Sequence, residues 1–262
     1  MTSASYLQNL FGLDGQTAIV IGGTGVLGGA IAEALASAGA HTVIVGRNAA
    51  NGEEVLSRIK STGGQGEFFA ADATSKADLE KLVVHLEANG RECNILVNGA
   101  GVNSPTPFLE IEDEEWDRIM NINLRGVRVA CQVFAKYMLE KGTQGSIINV
   151  ASLSAMIPLS RVFTYSASKA AVLNLTQNLA REWATNGIRV NAISPGFFPA
   201  EQNRKVLTED RVNSIMTHTP MQRFGSPEEL AGAILLLAAP SAGSFLTGHN
   251  LVVDGGFSAM TI

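Results

Sequence analysis

The stretch IGGTGVLGG, Ile21–Gly29, packs five glycines into nine residues and fits glycine-loop patterns in more than one register. Gly23, Gly25 and Gly28 satisfy G-x-G-x-x-G, whereas Gly22, Gly25 and Gly28 satisfy G-x-x-G-x-x-G. A third pattern, G-x-x-x-G-x-G, needs a glycine where Val26 stands. The apolar run TAIVI (17–21) leads into the stretch and a helical pattern (26–38) leaves it. Glycines between a strand and a helix allow a tight turn, close approach of backbone to a pyrophosphate, and close helix–strand packing. The helix N-terminus adds unpaired N–H donors and a positive dipole end. The stretch therefore reads as a dinucleotide loop.

Outward from this loop, short apolar runs alternate with longer amphipathic ones. Strands are expected at 17–21, 41–46, 67–72, 94–99, 145–150, 188–193 and 250–254. Helices are expected at 26–38, 50–62, 75–89, 114–141, 164–186 and 227–238. Strands this rich in β-branched residues suit a sheet covered on both faces. The alternation implies right-handed crossovers and a parallel sheet. The expectation is a single α/β domain over 1–262, a doubly wound Rossmann sheet of seven parallel strands with helices on both faces. Residues 194–226 interrupt the rhythm and are expected to form a substrate-binding excursion over the carboxyl edge of the sheet.

At the end of the second strand, NAD-binding chains place an acid for the ribose 2′-hydroxyl about 20 residues past the loop. Here Gly46, Arg47 and Asn48 follow instead. A guanidinium pairs bidentately with phosphate, so NADP(H) is favoured over NAD(H). The alternative is a solvated Arg47 that tolerates either cofactor.

The bulk composition excludes several classes. With 46% hydrophobic and 16% charged residues and a net charge of −5, the chain gives no support for a nucleic-acid partner. No apolar run approaches the ~18 residues of a membrane span. Cys93 and Cys131 are too scattered for a metal knuckle or a disulfide framework, and the four histidines form no close ligand pair. A reduced, cytoplasmic protein without a metal is expected.

The chemistry concentrates at Tyr165 and Lys169 in TYSASKAA, which share a helix face at i and i+4. An ammonium beside a phenol favours the phenolate and moves it toward general acid–base use. Upstream, Ser152 follows the strand SIINV, and Asn123 lies in NINLRG on the long helix before it. With the glycine loop, Asp72 in AADAT, NGAG (98–101), PG (195–196) and VDGG (253–256), these pieces resemble the short-chain dehydrogenase/reductases of the compact branch. The resemblance runs from about Leu13 to Gly256.

The resemblance implies an oxidoreductase that moves a hydride between a nicotinamide cofactor and a carbonyl or secondary alcohol. Tyr165 would be the proton donor or acceptor, Ser152 would position the carbonyl, Lys169 would bind the nicotinamide ribose, and Asn123 would hold a relay water. Cofactor contacts would come from Gly22, Thr24, Gly25, Val26, Leu27 and Gly28, with Val26 turned away from the phosphates. Arg47, Asn48, Asp72, Ala73, Asn98, Gly99 and Ala100 would serve the adenosine end. Pro195, Gly196 and Phe198 would serve the nicotinamide end, with Tyr165 and Lys169. Gly99 departs from the family's usual N-N-A-G, and Ile21 stands where threonine is usual.

The substrate is expected to meet Ser152, Ser154, Glu201, Gln202 and Arg204, the last three from GFFPAEQNRKVL. Polar and basic side chains there suit hydroxyls and a carboxylate. FFPAEQNR, GGTGVLGGA and VDGGFSAMTI resemble the D-mannonate (fructuronate) oxidoreductases, which implies a sugar acid or polyol substrate. A 3-oxoacyl-carrier-protein reductase and, more remotely, a non-catalytic nucleotide sensor are the competing readings. The family resemblance further implies a homotetramer or a dimer.

Overall fold

The computed structural model describes residues 2–198 and 208–260. The chain begins with α1 (Ser3–Phe11), then alternates β1 (Thr17–Ile21), α2 (Val26–Ser37), β2 (His41–Gly46), α3 (Ala49–Ser61), β3 (Gln65–Ala70), α4 (Lys76–Ala88) and β4 (Ile95–Asn98). Then come α5 (Asp113–Met120), α6 (Gly126–Lys141), β5 (Gly145–Val150), α7 (Phe163–Trp183) and β6 (Ile188–Pro195). The described residues end with α8 (Glu209–His218), α9 (Ala231–Ala238) and β7 (Asn250–Val253). The seven strands form one parallel sheet in the order β3-β2-β1-β4-β5-β6-β7. The doubly wound α/β architecture is as expected.

Successive strand residues point to opposite faces, and β1 divides its side chains accordingly. Ala18 and Val20 join a core with Ile31, Leu35, Ile59 and Ile234, beneath α2, α3 and α9. Ile19 and Ile21 join the opposite core, with Leu82, Phe134 and Val172 from α4, α6 and α7. Both faces of the sheet are therefore dry, which explains the lack of polar alternation in its strands.

Several boundaries differ from the expected ones. Strand β3 runs over 65–70 because it pairs residue for residue with β2, from His41↔Gln65 to Gly46↔Ala70, so Asp72 falls in the following loop. The helix expected at 114–141 is two helices joined by a π-helical turn, Asn121–Arg125. Sequence periodicity missed α1, which buries none of its residues, and also α8, inside the excursion.

A buried polar chain crosses the second of these cores, the one that holds Val172 and Cys131. Asn98 Nδ2 donates to Asn149 Oδ1 at 2.8 Å and Asn149 Nδ2 donates to Thr176 Oγ1 at 2.9 Å. Thr176 in turn donates to the Val172 carbonyl at 2.8 Å. The chain ties β4 and β5 to α7, the helix that carries Tyr165 and Lys169. Removing its middle member leaves donors and acceptors unpaired away from water. Asn149→Ala is expected to lower stability by about 2–4 kcal/mol, seen as a lower urea midpoint with an unchanged slope.

Candidate active site

The glycine loop leaves β1 at the point where the strand order reverses, between β1 and β4. Crevices at such points bind ligands in open α/β sheets. Gly22 has φ +80, and a Cβ on it would lie 2.6 Å from the Ala100 nitrogen and 2.8 Å from the Gly99 carbonyl carbon. A Cβ on Gly28 would collide with the Gly22 carbonyl oxygen. A Cβ on Gly23 would lie 2.8 Å from the Val20 carbonyl oxygen, while one on Gly25 would have the most room, at 3.4 Å from the Gly22 carbonyl oxygen. Backbone crowding thus demands Gly22, Gly23 and Gly28. Gly25 is the N-cap of α2 and provides no side-chain cap, so its own chain leaves the first-turn N–H groups open to a ligand.

Val26, expected to turn away from the phosphates, is half-exposed and forms part of the cleft wall with Leu27. Side chains of a helix lean toward its N-terminus, and Val26 is the first residue of α2. At the end of β2, Thr24 packs against Gly46, where a Cβ would lie 2.6 Å from its Oγ1. Arg47 is exposed, and Asn48 caps α3 by accepting the Asn51 N–H at 3.1 Å. Asp72 accepts the Thr74 N–H and hydroxyl, both at 2.8 Å, and these bonds chiefly hold its carboxyl below the usual range, with help from the Arg47 charge.

Ser152, Tyr165 and Lys169 meet the loop in one cleft of about 520 Å³, which Gly22, Gly25, Gly28, Gly99, Ser154, Gly196 and Phe198 also line. Thr24, Arg47, Asn48, Asp72, Ala73, Asn98, Ala100 and Pro195 lie outside its wall. Pro195 is the last residue of β6, paired with Val253, and Ala73 and Ala100 pack against the core. Glu201, Gln202 and Arg204 lie outside the described residues. Sequence reading missed Val102, Asn103, Leu159, Val162 and Phe197, which also line the cleft. They come from loops whose only signal was position after a strand end.

Ser152 accepts the Ser154 N–H at 3.2 Å and the Ser154 hydroxyl at 3.1 Å. Lys169 is buried, donates to the Val150 carbonyl at 2.7 Å, and has its Nζ 5.7 Å from the centre of the Tyr165 ring. Asn123 does not sit on a regular helix; the π-helical turn delivers it. Such turns recur at functional positions. Its side chain clamps Val102, accepting the N–H at 2.8 Å and donating to the carbonyl at 2.9 Å, and also donates to Ser168 at 3.0 Å. That loop is held against the helix of the tyrosine and lysine.

The cleft therefore fits a dinucleotide: glycines where a Cβ would fill the cradle, an uncapped helix N-terminus, and a lysine and tyrosine at the far end. Residues 24–258 match the family model described as enoyl-(acyl carrier protein) reductase. The chain is 38% identical to galactitol 2-dehydrogenase of Rhizobium johnstonii, over 96% of this chain and 98% of that one. It belongs to the short-chain dehydrogenase/reductase family. The enzyme is also 34% identical to 2-dehydro-3-deoxy-D-gluconate 5-dehydrogenase of Dickeya dadantii, over 97% of this chain and 99% of the relative. Its fold superposes on a gluconate 5-dehydrogenase of Burkholderia cenocepacia, solved with NADP and tartrate, with a TM-score of 0.91 and 32% identity, over 97% of this chain and all of that one (100%). This dehydrogenase is an NAD(P)-dependent oxidoreductase acting on CH–OH groups.

The electrostatics of the pair differ from the simple i, i+4 expectation. Burial pushes the Tyr165 phenol above its ordinary value, and the Ser152 hydroxyl only partly offsets this. Burial also holds Lys169 down, to about 8. A lysine with a lowered value is an ammonium below about pH 8 and neutral above it. The phenolate left after proton donation is stabilised only by the charged form. In a profile of kcat/KM for carbonyl reduction against pH, the dehydrogenase is expected to lose activity above about pH 8. Lys169→Met should remove that limb along with most of the rate.

Proposed function

We propose that this dehydrogenase interconverts a secondary alcohol and a ketone on a polyhydroxylated substrate, a sugar acid or a polyol, using NADP(H) in preference to NAD(H). The observation that carries the catalytic reading is the meeting of Ser152, Tyr165 and Lys169 with the glycine loop in one cleft. The nicotinamide, when bound, supplies or takes up the hydride. Tyr165 gives the substrate oxygen its proton or removes it, Ser152 holds that oxygen, and Lys169 keeps the tyrosine oxygen in charge balance. Asn123 fixes the Val102 loop against α7 and, as the family resemblance implies, would hold a relay water. The uncapped turn of α2 would meet the pyrophosphate, and Asp72 and Asn98 would support the adenosine end.

The substrate class is supported by relatives that carry sugar-acid and polyol names across their whole length. The resemblance to fructuronate oxidoreductases places D-mannonate and D-fructuronate beside gluconate among the candidates. The groove of about 980 Å³ between α5, the π-helical turn and α7, lined by Met120, Leu124 and Leu175 among others, is the kind of surface that a homotetramer or dimer covers.

A screen of D-gluconate, D-mannonate, D-fructuronate, galactitol and acetoacetyl thioesters, each with both nicotinamides, tests the substrate reading. Turnover of an acid or polyol is expected. Turnover of the thioester alone would replace the reading with 3-oxoacyl reduction, in keeping with the acyl-carrier description of the matching family model. Binding of NADPH with no turnover of any carbonyl would favour a nucleotide sensor. For the cofactor, Arg47→Glu should raise KM for NADPH about ten- to a hundred-fold and leave KM for NADH within about threefold. Equal losses for both would reduce Arg47 to a solvated loop residue.

A further inference from the structure

Beside the catalytic cleft lies a second cavity, of about 740 Å³, walled by the loop Ile157–Ser160, by α8 and by the turn from Phe257 to Met260. Leu159 and Phe197 belong to both walls, so the two spaces adjoin along those side chains. Ser160, Ser214, Thr217 and Ser258 bring hydroxyl groups to the second cavity, and Arg211 and His218 bring its nitrogen-bearing side chains. Among the described residues none that lines it is acidic, and the acids preceding Arg211 on α8, Glu209 and Asp210, do not line it.

Arg211 is fixed at both ends. Its N–H donates to the Thr208 hydroxyl at 3.3 Å, and its Nη1 donates to Ser160 Oγ at 2.8 Å. The loop turns immediately afterwards at Arg161, with φ +58, a conformation uncommon for a residue with a side chain. Arg58 and Arg223 are paired with carboxylates, whereas the Arg211 guanidinium has no carboxylate partner among the described residues. A guanidinium steered by one neutral hydroxyl keeps N–H groups for a ligand, and its planar fork matches a carboxylate.

We propose that Arg211, oriented by Ser160, binds a carboxylate on the substrate and makes this cavity the distal subsite of the catalytic cleft. For the hydroxylated remainder of the ligand the assignment rests on the sugar-acid reading above; for the acid group it rests on the cavity alone. Arg211 sets specificity between acids and neutral polyols, and Ser160 is a positioning residue.

The test is calorimetric titration of the full chain, saturated with NADP+, with three probes. D-Gluconate carries a carboxylate and hydroxyls, galactitol carries hydroxyls alone, and 3-hydroxybutyrate carries a carboxylate without a polyol chain. Arg211→Met should weaken binding of the carboxylate probes about ten- to a hundred-fold and leave galactitol within about twofold. Ser160→Ala should lose several-fold on the carboxylate probes only, and Ser160→Thr should restore it. Losses shared by all three probes, or absent from all, overturn the assignment. Wild-type binding of galactitol alone overturns it while the polyhydroxy reading stands. Binding of 3-hydroxybutyrate alone, abolished in Arg211→Met, upholds the clamp and removes the sugar reading. Failure of the wild type to bind any of the three overturns both.

Discussion

Everything at the carboxyl edge of the sheet depends on how closely the turn after β1 approaches the turn after β4. Gly22 lies so near the Gly99–Ala100 peptide that no side chain fits between them. Gly99 donates its N–H to the Ile21 carbonyl at 2.8 Å, and its own missing Cβ would lie 3.2 Å from that oxygen. Bulk at Gly22 would push the two central strands apart at the point where the order reverses. Gly99, where the family usually has asparagine, makes the looser side of this contact. The open crevice follows from these two backbones, with α2 starting at its floor.

A second constraint positions the chemistry. Tyr165 and Lys169 sit on α7, and α7 is held to the sheet by the Asn98–Asn149–Thr176 chain and by Lys169 donating to the end of β5. Asn123 reaches the same helix from the other side through Ser168. The π-helical turn that carries Asn123 re-aims one side chain without breaking the helix pair around it. Burial, which fixes the geometry of the lysine and tyrosine, also moves both groups in the direction that opposes charge. Rigidity and protonation are coupled through the same packing.

Much of the fold was legible because its signals are local or periodic. TAIVI, HTVIVG and GSIINV are rich in β-branched residues and became β1, β2 and β5 with the expected bounds. Strand β3 shifted by pairing, since β2 sets which of its residues are bonded. Helix α8 lacked a legible stripe because only Ile215 on it is buried. Similarly, α1 attaches through a backbone bond from Ala242 to Leu10, which leaves no trace in side-chain pattern. The tyrosine–lysine pair was visible from spacing, but its protonation was not, because desolvation depends on what covers the pair.

By itself the sequence determined the strand–helix alternation, the need for glycine in the first turn, and the set of side chains available for chemistry. Those properties follow from backbone sterics and from the periodicity of burial, which each segment carries within itself. Tertiary structure alone decided which glycines are indispensable and that Val26 joins the cleft wall. It also decided that Asn123 works from a π-helical turn and that Arg211 and Ser160 meet beside the cleft. The contact of Gly22 with Ala100, like that of Arg211 with Ser160, joins segments far apart in the chain. Its geometry is set by packing across the sheet and between loops, where no local pattern records the partner.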